Sequence, residues 1–298
     1  MYHYYAFGLN IESEIECPLL IEGDGSAPDL VVRLGQVPHE LEQVQESTSW
    51  YQISAGRFLL KVDQVARYLV SDGREIMVER HPLADDKDVR LFLLGSAMGA
   101  LLHQRGVWPI HGSAVSTEHG AVLFVGDKGS GKSTLAGAFN QRGFQVLSDD
   151  VCAITVGDDG AAQVWPAYPR ISLWADSVTK LGSEPSQLTR TDSFQEKYVL
   201  PMQHFSRDAE LIQAVYALSR SEDQESVQLT TLKGFDKVRE LTTNTYRLHF
   251  LSGMQLASQH FTQAQALAKQ ARVVRIARPT RPFLLDELAD TILRDFDK

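Results

Sequence analysis

The stretch Ala121–Gly143, AVLFVGDKGSGKSTLAGAFNQRG, decides how the rest of the chain is read. Ala121–Val125 is apolar enough for a fully buried strand, and Leu135, Ala138 and Phe139 form the buried stripe of a short helix that Gly143 ends. Between them, Gly126-Asp127-Lys128-Gly129-Ser130-Gly131-Lys132-Ser133 matches the phosphate-cradling pattern G-x-x-x-x-G-K-[ST] without a mismatch. A loop wrapped around an anion must let backbone N–H groups converge, and side chains at Gly126, Gly129 and Gly131 would obstruct that approach. Lys132 reaches the outer phosphates as a point charge, the Ser133 hydroxyl suits a Mg²⁺ ligand position, and the helix N-terminus adds partial positive charge. Gly126, Lys128, Gly129, Ser130, Gly131, Lys132, Ser133 and Thr134 are therefore the candidate nucleotide-binding residues. An accidental match is disfavoured by the strand–loop–helix setting, which is the context the chemistry requires.

At 298 residues the chain is long enough for two ordinary domains, each with a core. A formal net charge of −9 argues against a nucleic-acid-binding protein, which would present a basic face. Cys17 and Cys152 are too few for a disulfide framework, and a reducing cytoplasm fits them. MYHYYAFGLN at the start lacks a basic leader followed by a long apolar core. The longest nearly apolar run, Leu91–Leu102, is too short to cross a bilayer, so no membrane partner is expected.

Residues 1–84 read as short strands separated by turns, among them Leu30–Leu34, Trp50–Ser54, Arg57–Val62, Arg67–Val70 and Glu75–Arg80. Together they predict a small antiparallel-sheet domain. Over 85–106 the apolar period lengthens: Val89, Leu93, Leu94, Ala97, Leu101 and Leu102 share one helix face, Asp85, Asp86 and Asp88 sit near its positive end, and small residues (Gly95, Ser96, Ala97, Gly99, Ala100) permit close packing. This is the expected connecting helix to a third segment, 107–298.

That segment starts with the strand Val107–Val115, which carries His111, and a turn at Glu118-His119-Gly120 leads into the phosphate loop. After the loop's helix, a strand at Phe144–Leu147 is expected to deliver Ser148-Asp149-Asp150 at its carboxyl end, where ligands of open α/β sheets bind. Two jobs await carboxylates there, holding Mg²⁺ and accepting the proton of an attacking hydroxyl, and neighbours in an extended segment point in opposite directions. Further strands are expected at Val151–Val156, Gln163–Trp165, Leu211–Ser219 and Val273–Ile276, a hairpin turn at Asp158-Asp159-Gly160, and helices at Phe235–Arg247 and Phe283–Phe296. Arg170 and Lys197 are possible phosphate or substrate clamps. Arg247, His249 and His260 have no partner that the sequence identifies.

The order His111-Gly112, strand, Gly126–Ser133 loop, helix, Asp149-Asp150 resembles the catalytic domain of the HPr kinase/phosphorylase family, over about Val107–Val156. Weaker similarity towards the C-terminus is to kinase-like relatives found with peptide-modification or polysaccharide genes. The resemblance implies an α/β fold, a P-loop kinase core with a mixed, largely antiparallel sheet preceded by a small α+β domain. It also implies an ATP-dependent kinase that uses Mg²⁺ and moves the γ-phosphate to a serine-type hydroxyl of a peptide or protein. By position, it makes His111, Lys132 and Asp150 catalytic and Ser133 with Asp149 the metal-side residues. The family carries a second metal-binding glutamate and then an Arg-rich glycine loop after the aspartates, whereas here Gln163–Arg170 holds no glutamate. Phosphorolysis and HPr itself as substrate are therefore not carried over, and residues 1–80 match nothing in the family. A small-molecule kinase acting on an amino acid or sugar shares every core residue, and a nucleotide-sensing regulator is the alternative from another class. Homo-oligomerisation is compatible with the sequence.

Overall fold

In a computed structural model, which describes residues 1–202, 204–222, 224–280 and 284–296, the chain forms two mixed sheets and a two-stranded ribbon, with helices against them. Residues 2–80 supply a nine-stranded sheet in the order Ile21–Glu22, Tyr2–Ala6, Leu9–Ser13, Leu30–Leu34, Glu75–Arg80, Ala66–Ser71, Arg57–Val62, Tyr51–Ser54, Glu46–Ser47. Alternation drives it: Ala66–Ser71 buries every second side chain, as one covered face requires. The sheet is not wholly antiparallel as expected. Leu30–Leu34 pairs in parallel with both Leu9–Ser13 and Glu75–Arg80, because the chain crosses over instead of turning back on itself.

The covering element is the helical run Asp86–Gln104. Asp85 caps it by accepting the Lys87 N–H at 2.9 Å, and Val89, Leu93, Leu94, Ala97, Leu101 and Leu102 are all buried, as the spacing predicts. It is not a uniform α-helix. Leu93–Ala97 forms a π turn, the kind of local widening that recurs at functional sites.

The second sheet orders Gly120–Gly126, Trp108–Thr117, Val146–Val156, Ala162–Trp165, Glu210–Ser221, Arg272–Pro279 and Gln228–Thr231. Gly120–Gly126 also pairs in parallel with Glu210–Ser221, so five strands close into a ring. Antiparallel pairings predominate, with two parallel ones, which is the mixed pattern anticipated. One apolar core lies against helices Phe235–Thr243 and Ala257–Gln270, another against Lys132–Gln141 and Leu285–Phe296. The closing helix was expected from Phe283, which lies outside the described residues.

One expectation about the acidic pair changes. Phe144–Leu147 and Val151–Val156 are not two strands; Val146–Val156 is a single strand with Asp149 and Asp150 in its middle. Extra length is absorbed by a bulge opposite Ala114/Val115 and by Asp150, whose φ of +72° turns the strand locally.

Candidate active site

Gly126 ends its strand with φ +130°, and a Cβ there would lie 2.3 Å from the Leu218 carbonyl oxygen of the parallel neighbour, so only glycine permits the pairing that aims the loop. Its N–H donates to Asn244 Oδ1 at 2.7 Å. Gly131, at φ +109°, then starts the helix Lys132–Gln141. The loop is braced from behind by Arg278, whose Nη2 and Nε donate to the Ser130 carbonyl at 2.7 and 3.2 Å. Arg220 reaches the same place, and Arg278 is pushed down to about 10 by burial and by the Arg220 charge. Two guanidiniums held this close favour an anion between or beside them.

Lys132 is buried and folds back over the loop, donating from Nζ to the carbonyls of Gly126 at 2.8 Å and Asp127 at 3.0 Å. Burial lowers its pKa, while Asp149 and Asp150 act in the opposite sense. Ser130 is 3% exposed and its Oγ has no hydrogen-bond partner, an unsatisfied polar atom in the wall of the cradle. Lys128 donates to Gln195 Oε1 at 3.3 Å and sits 5.6 Å from the Trp174 ring centre, and Thr134 Oγ1 donates to Ser177 Oγ at 3.0 Å.

Facing this loop are the two aspartates. Register pairs Ser113 with Asp149 and Gly112 with Asp150. Asp149 is 5% exposed and fully engaged: Ser113 Oγ donates to Oδ1 at 2.7 Å and the Ser172 N–H to Oδ2 at 3.0 Å. Burial drives its pKa up, against those bonds and one from the Ser133 hydroxyl, and the charge of Asp150 adds to the rise. Asp150 faces the cleft. Burial alone would raise it, but the hydrogen bond and charge of His111, with Lys197 and Arg170, outweigh that and hold its carboxyl well below the usual carboxylate range. His111 Nδ1 donates to the Asp150 carbonyl at 3.1 Å and lies 3.3 Å from its Oδ1.

These groups share a cleft of about 1260 Å³. His111, Lys128, Gly129, Gly131, Lys132, Ser133, Thr134 and Asp150 line it, and Gly126, Ser130 and Asp149 do not. Arg170 and Lys197 line it too. The sequence did not point to Arg220, Arg278, Trp174 or Tyr246, and Arg247 had no assigned place; all five are in the lining. For Arg220 and Arg278 a signal existed: each is a cation at the carboxyl end of an apolar strand, the ligand-facing end of parallel pairs. His260 is elsewhere, bonded through Nε2 to Thr245 Oγ1 at 2.7 Å, beside Trp108 Nε1 on the same hydroxyl. No group of three or more His, Cys, Asp or Glu side chains that could cage a metal occurs among the described residues. Mg²⁺ does not need one, since it binds through one or two protein ligands plus substrate phosphates. No helix among the described residues is long and apolar enough to cross a membrane.

No family model matches the chain, and no curated protein is similar to it. Among solved structures, the Hpr(Ser) kinase/phosphatase from Coxiella burnetii aligns with 63% of this chain and 90% of its own at 15% identity, with a TM-score of 0.36. At that score the superposition adds nothing to the local geometry.

Proposed function

We propose that the chain is an ATP-dependent phosphotransferase that passes the γ-phosphoryl group to a serine-type hydroxyl of a peptide or protein. The observation that carries this is the meeting, in one cleft, of the Gly126–Ser133 loop with an ionised Asp150 tied to His111. Loop N–H groups, Lys132, Arg220 and Arg278 suit the triphosphate; swinging Lys132 from the loop carbonyls to phosphate oxygens exchanges weak acceptors for charged ones. Ser133, with Asp149 on its hydroxyl, would hold Mg²⁺. Held there, the ion would supply positive charge against the charge that develops on transfer.

Asp150 accepts the hydroxyl hydrogen bond and fixes the attacking oxygen in line. The O–Pγ bond forms as the bond to the β-phosphate oxygen breaks, ADP leaves, and the hydroxyl proton passes to the His111–Asp150 pair. A carboxylate held this acidic is a weak proton acceptor, so orientation outweighs deprotonation. That suits a loose transition state, which asks little of the nucleophile. Arg170 and Lys197, close enough to Asp150 to depress it, fit the transferred group's oxygens.

Incubation with γ-labelled ATP, against a cell extract and against a metabolite pool, tests this. Label in a macromolecule is the expected result. Label in a small molecule moves the acceptor class, and release of free phosphate alone replaces transfer with nucleotide sensing.

A further inference from the structure

The cleft holds more positive charge than a nucleotide uses. Eight lysines and arginines line it against three aspartates, in a chain whose net charge is −9. A Mg-bound triphosphate offsets only about two of those charges. Among those cations Arg247 is built in with care. Its backbone has φ +54°, a left-handed conformation that an arginine rarely adopts. Nη2 donates to Ser96 Oγ at 2.8 Å, on the π turn. The guanidinium carbon lies 5.3 Å from the Trp50 ring centre and 5.5 Å from that of Tyr246, so aromatic faces flank it and no carboxylate among the described residues pairs with it. Nε is buried without a hydrogen-bond partner. Two distant segments, at Trp50 and Ser96, converge with the neighbouring Tyr246 to hold one planar fork in the lining of the cleft.

Its position names its use. Tyr246, which Arg247 approaches, has its ring centre 6.2 Å from that of His111, and all three line the cleft with Asp150. An acceptor whose hydroxyl lies on Asp150 therefore has Arg247 on the same cleft wall. We propose that Arg247, tied to Ser96 and stacked on Trp50 and Tyr246, binds a carboxylate or phosphate group that the acceptor carries beside its hydroxyl. This deepens the kinase assignment and rests on it. A planar guanidinium held beside two aromatic rings is suited to bidentate, edge-on recognition of such groups, which a lysine would hold only as a point charge.

Trp50 gives a local reporter. The full-length Trp174→Phe protein, used as the parent so that anion bound at the loop beside Trp174 is not read, is titrated without nucleotide at constant ionic strength with sodium phosphate and, separately, sodium acetate, following tryptophan emission. A saturable change is expected in the parent and its loss in Trp50→Phe. Binding about tenfold weaker is expected in Arg247→Gln, with partial recovery in Arg247→Lys. Ser96→Ala, which unties the fork and keeps its charge, weakens binding to a lesser degree and serves if Arg247→Gln does not fold. The stronger-binding anion identifies the acceptor group as phosphate or carboxylate. No saturable change with either anion, or equal affinity in the parent, Arg247→Gln and Ser96→Ala, overturns the proposal. Because no nucleotide is present, failure here with label still transferred from ATP removes the acceptor subsite alone; success here with no transfer removes the kinase assignment.

Discussion

Asp149 and Asp150 are adjacent, yet their surroundings separate them. Burial raises Asp149, and the His111 pairing with Lys197 and Arg170 prevails over burial to depress Asp150. Environments that push paired carboxylates apart assign them different roles. Asp149 contributes stability when protonated and loses that contribution as pH rises through its raised pKa. Asp150 contributes above the ordinary carboxylate pKa, and its contribution is lost as pH falls below that value. At neutral pH, Asp149→Asn is therefore expected to leave the melting temperature unchanged or higher, and Asp150→Asn to lower it. In catalysis Asp150→Asn keeps Mg-ATP affinity and reduces transfer by about tenfold, since its amide oxygen still orients the hydroxyl but takes no proton, while Asp149→Asn shows its effect in Mg²⁺ dependence. Calorimetric melts with nucleotide titrations and transfer rates on both variants check this. Exchanged phenotypes would exchange the roles.

Local patterns carried the elements that are local. The phosphate loop, its strand and helix, the His111 strand and the apolar face of the connecting helix all follow from spacing that one element contains. The acidic pair was legible as chemistry but not as geometry. Ser148-Asp149-Asp150 interrupts an apolar run and reads as a strand end, and only tertiary donors, Ser113 and Ser172, make a carboxylate tolerable inside a strand. The π turn was hidden because a widened turn leaves the apolar stripe intact. Arg220 and Arg278 meet the loop only through sheet order, which no local period encodes. The same helix makes a pH prediction. His103 is 2% exposed and donates from Nε2 to the Tyr246 carbonyl at 3.0 Å, and burial pushes it down to about 4. A histidine lowered on folding stabilises fully above its unfolded value of 6.5 and loses that contribution as pH falls through 4. The loss is on the order of 3 kcal/mol. Denaturant melts from pH 7 to 4 are expected to show it, and His103→Gln, which keeps a donor but cannot charge, to flatten that slope.

At the scale of the molecule, one apolar core joins residues of the first sheet and the connecting helix to Val151, Ala153, Ala167, Tyr168 and Phe250. We propose that the boundary near residue 84 divides tasks: the phosphate loop and aspartates belong to the later segment, and the earlier one supplies Trp50 and a cover for the helix. Removing residues 1–84 would bare Val89, Leu93, Leu101 and Leu102, all buried in the whole chain, and the truncated protein is expected to aggregate. Soluble, monodisperse truncated protein would contradict this. The central claim is that the cleft binds a triphosphate through the Gly126–Ser133 loop, and calorimetric titration of Mg-ATP into the parent and Lys132→Ala proteins tests it most directly. Lys132 supports the loop through two carbonyl bonds and little else, so its loss removes charge at small structural cost. The account predicts saturable one-to-one binding in the parent and affinity about a hundredfold weaker in a variant that melts cooperatively; equal affinity in the two proteins, or no binding to the parent, would contradict it.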